Sequence, residues 1–280
     1  MNDLKIGQQF AYLKILEKDE SKKYYYRCQC ECGVIKSIRK DGLVSGSIKS
    51  CGCKKIELHR KTQLLPINES FFQTDSPELS YFLGFFLADG YVSKNKQIGI
   101  QLQERDLHIL ETFSYLIYGK IHLQYINKDK KYCNIKGHNQ YRLVFSNDIV
   151  LQILTDIGFD NHKSTSAMIP EHLKDDIHFW RGVIDGDGCM CITRKQFLVD
   201  LVGTPSVVQG FKDFCNRLGL ELYRDLLFPK KGKYSIDMRT FRLQGIKALK
   251  LCEVLYANKK DIYLYRKYNK YQEYLKIKDQ

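Results

Sequence analysis

Residues 179–190 read FWRGVIDGDGCM, and residues 81–92 read YFLGFFLADGYV. Each is an apolar run with a small residue inside it, ending in an acid set among glycines. In a helix Gly84 and Ala88 lie four apart, as do Gly182 and Gly186, and residues at i and i+4 share a face. Small residues on such a face let two helix backbones approach closely, the geometry of small-xxx-small pairs in membranes. The pattern therefore predicts two parallel helices packed at the centre of the molecule, with Asp89 and Asp187 emerging side by side at their C-terminal ends. Two neighbouring carboxylates repel, and a helix C-terminus carries partial negative charge of its own. A divalent cation relieves both, and hard carboxylate and carbonyl oxygens suit Mg²⁺. One apolar segment ending in ADG is ordinarily just a helix end with a glycine cap. A cap does not require an aspartate at the same place twice.

The correspondence extends outward. Gly84/Gly182, Asp89/Asp187 and Gly90/Gly188 are offset by 98 positions, Arg142/Arg242 by 100, and Lys163/Lys267 by 104. A slowly growing offset is what small loop insertions in a duplicated unit produce. Each copy reads helix, two strands, helix, two strands, helix. In the first copy 79–89 is helical, YVSK and QIGIQLQ are strands, and 105–118 has helical apolar spacing. HLQYI and YRLVF follow as strands, then a helix over 147–157 capped by Asn147 or Asp148. In the second copy FLVDLVG, LELYRDL and DMRTFRLQG are strands, with helices over 205–218 and 246–256. The tail, 259–280, is expected to be a helix packing tyrosines inward. The expected class is α+β: two pseudo-symmetric αββαββα repeats with antiparallel sheets, and a small zinc-binding domain before them. The expected boundaries are 1–60 for that module, 61–76 for a linker, 77–168 for the first repeat, and 169–280 for the second with its tail.

Composition narrows the partners. The 280 residues are 44% hydrophobic and 28% charged, with a net charge of +13. Such a charge steers association with polyanions rather than dictating a fold. Nucleic acid comes first; no basic amphipathic helix argues for a membrane surface. The longest apolar run is too short to cross a bilayer, and MNDLKIGQQF lacks the apolar core of a signal peptide. The expected location is cytoplasmic (nucleoid-associated) or an organellar matrix, with no membrane partner.

FLGFFLADG and WRGVIDGDG resemble the two motifs of LAGLIDADG homing endonucleases in their single-chain, two-repeat form, over roughly 77–270. The resemblance implies saddle-shaped sheets that lie in the DNA major groove, and a monomeric pseudo-dimer that cuts both strands of a long asymmetric site with Mg²⁺. It makes Asp89 and Asp187 the metal ligands, and Asp185, matched by Leu87 in the first motif, a support for the helix end. It implies catalytic roles for Lys163 and Lys267 beyond each third helix, and for Gln103 as a water-positioning group. Alternation along strands then nominates Lys94, Lys96, Gln101, Arg194, Lys195 and Arg239 as DNA contacts, with the loops INKDKK and FPKKGK gripping phosphates. Two alternatives on the same fold are an RNA maturase acting on intron RNA and a catalytically inactive DNA-binding regulator. The intact Asp89 and Asp187 disfavour both.

Five of the ten cysteines fall within residues 28–53. Clustered cysteine without an export signal reads as metal binding. CECG and SCGC look like paired knuckles, which selects Cys30, Cys32, Cys51 and Cys53 for a structural Zn²⁺, with Cys28 as the spare. The segment from IGQQFAYLKIL to SCGC resembles a small N-terminal module of phage and mobile-element endonucleases, which implies DNA binding. Cys133, Cys189, Cys191, Cys215 and Cys252 are expected to be small buried apolar residues.

Overall fold

The computed structural model describes residues 3–54, 65–127, 138–159, 169–221, 228–230, 238–260 and 262–278. The chain divides into two units, 1–65 and 66–280. The first contains β1 (Gln9–Phe10), β2 (Leu13–Lys18), β3 (Tyr25–Cys30), β4 (Ile35–Arg39) and the short α1 (Lys40–Val44). Its strands form an antiparallel meander in the order β1-β2-β3-β4. Alternation along β3 turns Tyr26, Cys28 and Cys30 inward, onto a core with Leu13, Ile15, Ile38 and Leu43. So few apolar side chains make a marginal core, the situation in which small domains add a metal.

The second unit opens with α2 (Glu69–Gln73). Then come α3 (Pro77–Asp89), β5 (Gly90–Val92), β6 (Ile98–Gln103), α4 (Leu107–Tyr118), β7 (Gln124–Ile126), β8 (Gln140–Phe145) and α5 (Asp148–Asp156). The series repeats as α6 (Ile177–Gly186), β9 (Cys189–Thr193), β10 (Gln196–Gly203), α7 (Pro205–Arg217), β11 (Phe228–Lys230), β12 (Met238–Gln244) and α8 (Ile246–Ala257), closed by α9 (Tyr265–Lys278). Both open antiparallel sheets have one topology, β5-β6-β8-β7 and β9-β10-β12-β11. This is the duplicated αββαββα architecture expected from the sequence. Of LELYRDL only Leu220 and Glu221 lie within the described residues.

Within the segment 61–76 expected as a linker, residues 69–73 form helix α2. Helix α2 buries Phe71 and Phe72 against Phe82 of α3, with ring centroids 5.9 and 5.6 Å apart in edge-to-face contact. Two adjacent phenylalanines carry more apolar surface than a solvated connector leaves exposed.

Local signals start the two central helices. Ser76 caps α3, accepting the Leu79 N–H at 3.1 Å, and Pro77 takes the first turn where its missing N–H costs nothing. Asp176 caps α6 through the His178 and Phe179 N–H groups at 2.7 and 2.9 Å. Ser80 Oγ of α3 donates to the same Asp176 carboxylate at 2.8 Å, which ties the two helix starts together. Among the described residues no helix is long and apolar enough to cross a membrane.

Candidate active site

Helices α3 and α6 make the most extensive helix contact in the unit, and glycine makes it possible. A Cβ on Gly84 would sit 1.9 Å from the Phe179 carbonyl oxygen, and one on Gly182 would sit 2.3 Å from that of Tyr81. Each glycine therefore presses on the other helix's backbone, where no side chain can yield. Glycine inside a helix costs about 1 kcal/mol relative to alanine, a cost the close packing offsets. The third contact is Gly186 on Ala88, where an added Cβ would meet the Ala88 Cβ at 2.3 Å. The small residues at 84, 88, 182 and 186 thus line the contact between the two helices, as expected from the sequence.

The two acids stand where this packing ends. Asp89 is the last residue of α3 and Asp187 follows the last residue of α6; both are exposed. The Asp89 Oδ2 lies 3.3 Å from where a Gly186 Cβ would be, so that carboxylate reaches over the last turn of the opposite helix. The glycines beyond are not left-handed caps. Gly90 is extended, and its missing Cβ makes room for the Phe86 ring; that of Gly188 makes room for the Ile184 backbone. The repeated glycine thus serves close packing beneath the acids.

Asp185, two residues earlier, is wholly buried. It accepts hydrogen bonds from Tyr81 Oη at 2.8 Å, Tyr256 Oη at 2.6 Å and the Leu264 N–H at 2.9 Å. Burial raises its carboxyl above the usual range, against the Tyr256 hydrogen bond and the charge of Lys267. It is a structural hub joining α3, α6, α8 and the start of α9. Lys267 is also buried, and its Nζ donates to the Ile184 and Gly186 carbonyls at 2.7 and 2.9 Å. A cation at a helix C-terminus meets the negative end of the dipole. Burial pushes this amine down to about 8, opposed first by Asp185; Asp89 and Asp187 also act on it. One amine thus lies within electrostatic reach of all three acids. Lys163 lies outside the described residues.

The family model of the LAGLIDADG-like domain matches residues 76–158. Over these residues the chain is similar to a LAGLIDADG-like domain. Residues 177–257 repeat its element order, strand order and helix-ending aspartate, so the unit carries the LAGLIDADG-type fold in duplicate. No curated protein matches the chain in sequence. Among solved structures, meganuclease I-SmaMI bound to uncleaveable DNA is similar at 13% identity and TM-score 0.44, over 73% of this chain and 89% of that one. LAGLIDADG meganuclease I-CpaMI bound to uncleaved DNA is similar at 10% identity and TM-score 0.43, over 71% and 90%. I-DmoI in complex with DNA and Ca is similar at 14% identity and TM-score 0.41, over 64% and 88%.

In each LAGLIDADG repeat one sheet face packs on helices, and alternation assigns the other. Ile98, Ile100 and Leu102 of β6 are buried, so Gln101 and Gln103 occupy the opposite face. Gln101 hydrogen-bonds Gln140 and accepts from Arg142 Nε at 2.8 Å. In the second repeat Asp200 and Arg242 hold the corresponding places, joined by two 2.7 Å bonds. Lys94 and Lys96 are exposed beside the β5–β6 turn. Arg194 and Lys195, at φ 49° and 61°, make the β9–β10 turn. Both hairpin tips are therefore basic. By alternation Arg239, a half-buried residue near the strand end, falls on the same side as Phe241 and Leu243. Arg142 and Arg242 stand centrally on the open faces instead. Their offset of 100 had marked them in the sequence as a pair but not as surface groups. Gln103 faces Gln140 at the strand end. Cys215 and Cys252 are buried as expected, whereas Cys189 is exposed and Cys191 half-buried because β9 turns both to the open face; Cys133 lies outside the described residues.

In the first unit the sulfurs of Cys30, Cys32, Cys51 and Cys53 all lie within 4.8 Å of one another. The Cys30–Cys53 and Cys32–Cys51 separations are 3.6 and 3.3 Å. Tetrahedral thiolates at a Zn–S distance of ~2.3 Å stand ~3.8 Å apart, so the cluster fits zinc. Gly33 and Gly52 sit in the knuckles at φ 89° and 116°, a backbone that side chains rarely adopt. Burial raises the Cys30 thiol, but N–H donation from Cys51 and Cys32 outweighs it and brings it to about 6, which favours the thiolate a metal needs. Cys28 faces inward too, two residues down the strand, but packs in the core beneath the cluster.

Proposed function

We propose that the chain is a site-specific double-strand DNA endonuclease that hydrolyses phosphodiester bonds with Mg²⁺. The observation that supports this most is the pair of exposed aspartates at the ends of two glycine-packed helices, with one buried lysine within reach of both. Asp89 and Asp187 would hold the metal, which when bound activates water and stabilises the leaving oxygen. Lys267, fixed on the α6 carbonyls, holds positive charge beside the acids and stabilises a phosphate brought to them. The basic hairpin tips at Lys94, Lys96, Arg194 and Lys195 would bind the backbone. Gln101, Gln140 and Arg142 offer hydrogen-bonding side chains suited to base edges. Because the two open faces differ, the target is asymmetric and one chain suffices.

Cleavage of a randomised double-stranded DNA library in Mg²⁺, with EDTA as control, tests the reading. Cuts at one long sequence support it. Metal-independent cuts, or no cuts with tight salt-sensitive RNA binding, would reject it, the latter in favour of a maturase.

We assign Zn²⁺ to the four cysteines as a structural ion. Chelation is expected to unfold the 1–65 unit, because metal binding there supplies folding energy, and to leave the melting of 66–280 unchanged. Cys32→Ser should lose the metal and Cys28→Ala retain it, by zinc stoichiometry in mass spectrometry. A metal-free parent chain with an intact first unit would remove the assignment.

A further inference from the structure

Lys267 belongs to the second repeat, but the segment that presents it is held largely by the first. Residues 262–264 precede α9 outside any helix or strand. Asp106, with its side chain 7% exposed at the start of α4, accepts from Arg266 Nε at 3.0 and 3.2 Å. His108, one helical position into α4, places Nε2 3.1 Å from the Tyr263 carbonyl oxygen and 3.4 Å from the Tyr265 amide nitrogen. Its ring stacks on Tyr265 at 3.7 Å between centroids and 8° between planes. Asp185 fixes Leu264 from the other side. Every residue from Tyr263 to Arg266 is therefore gripped, and Lys267 follows directly. Its ammonium reaches two carbonyl oxygens of α6 only if that segment stays in place.

We infer that Asp106 and His108 are positioning residues for Lys267, coupling the first repeat to the amine of the second. Neither touches the acids in any contact described above; both act through the 263–266 segment. The inference rests on the nuclease reading for its effect on cleavage, but not for its effect on the amine. Asp106 lies three positions beyond Gln103, at the end of the strand whose open face carries Gln101. A shift of that sheet on a bound partner would thus be transmitted to Lys267.

The test has two independent readouts. The first is acylation of individual lysines by an N-hydroxysuccinimide ester, followed by mass spectrometry of chymotryptic peptides. In the parent, Lys267 is expected to react at least tenfold more slowly than exposed Lys276; Arg266→Gln, Asp106→Asn and His108→Ala should each accelerate it several-fold. Arg266→Gln changes an exposed residue, so it remains informative if Asp106→Asn does not fold. The second is single-turnover cleavage, expected to fall roughly tenfold in the same variants while DNA affinity measured in Ca²⁺ stays within twofold, with Arg266→Lys restoring most of the rate. Unchanged acylation in all three variants would overturn the inference. So would accelerated acylation with parental cleavage rates. If acylation accelerates in a chain that cuts no DNA with its acids intact, the nuclease reading falls and the clamp on Lys267 stands.

Discussion

The two repeats agree in backbone contacts and differ in the side chains around them, both in the buried seam and on the open sheet faces. Gly84 and Gly182 press on opposing backbones, Asp89 and Asp187 end their helices, and both sheets share one strand order. At the positions beside them the symmetry is gone. Leu87 stands where Asp185 gathers two tyrosine hydroxyls and a backbone amide, and Leu83 stands where Arg181 is buried over the Tyr81 ring. On the open faces, Gln101 with Arg142 is replaced by the ion pair of Asp200 with Arg242. Backbone contact tolerates no variation, because a missing Cβ cannot be compensated by a rotamer. Surface and hub positions are free to diverge. The duplication therefore preserves the place where two acids meet and individualises what each half touches.

The shared feature breaks most severely. Gly84→Val or Gly182→Val drives a side chain into a carbonyl oxygen, beyond the 1–3 kcal/mol of ordinary overpacking. A loss of about 4 kcal/mol or more, seen as collapse of the 66–280 melting transition, is expected for each. Gly186→Ala places a Cβ 2.3 Å from the Ala88 Cβ, which is fixed to its backbone, and is expected to destabilise the unit as well. Parental melting of Gly84→Val or Gly182→Val would contradict the backbone-contact account.

That feature was also the most legible in the sequence. Two copies of one small-residue spacing and one terminal acid marked the helix pair and the repeat, because local patterning carries them, whereas the arrangement of the sheets came from the family resemblance. The hub did not follow from patterning, since Asp185 meets Tyr256 and Leu264 across 71 and 79 positions. Asp106 and His108 had no signal at all; their partners lie 155 to 160 positions away. The strand phase of Arg239 was not legible either, because its buried neighbours Phe241 and Leu243 fix it only once the strand is seen. The four clustered cysteines were separable from Cys28 by their knuckle glycines, although Cys28 and Cys30 share a strand face.

The buried hub of the second repeat responds to pH. Lys267 has a folded pKa of about 8 against an ordinary 10.5, because burial disfavours its charge. Between those values the unfolded chain binds more protons than the folded one, so this group's contribution to stability rises with pH and its penalty is full below about 8. In metal-free protein the stability of the parent relative to Lys267→Met should rise across that window by up to about 3 kcal/mol, read from urea unfolding. A flat difference would mean that the amine is solvated.

The smallest effect belongs to the open faces. Asp200→Asn removes the carboxylate that neutralises Arg242 and should tighten DNA binding a few-fold, with the salt slope steeper by about one charge. Gln101→Ala has no such charge to release and should alter base preference in one half-site with little change in slope. Identical salt responses would show that the two faces do not differ as their contacts suggest.

In the proposed nuclease two acids, one from each repeat, serve a single metal-dependent site. Asp89→Asn and Asp187→Asn, tested separately on the selected target in Mg²⁺, address it most directly. Each is expected to reduce cleavage of both strands on the order of 10³-fold or more, since a metal contributes several kcal/mol, while binding in Ca²⁺ persists. Cleavage of both strands at the parental rate in either variant would contradict the account.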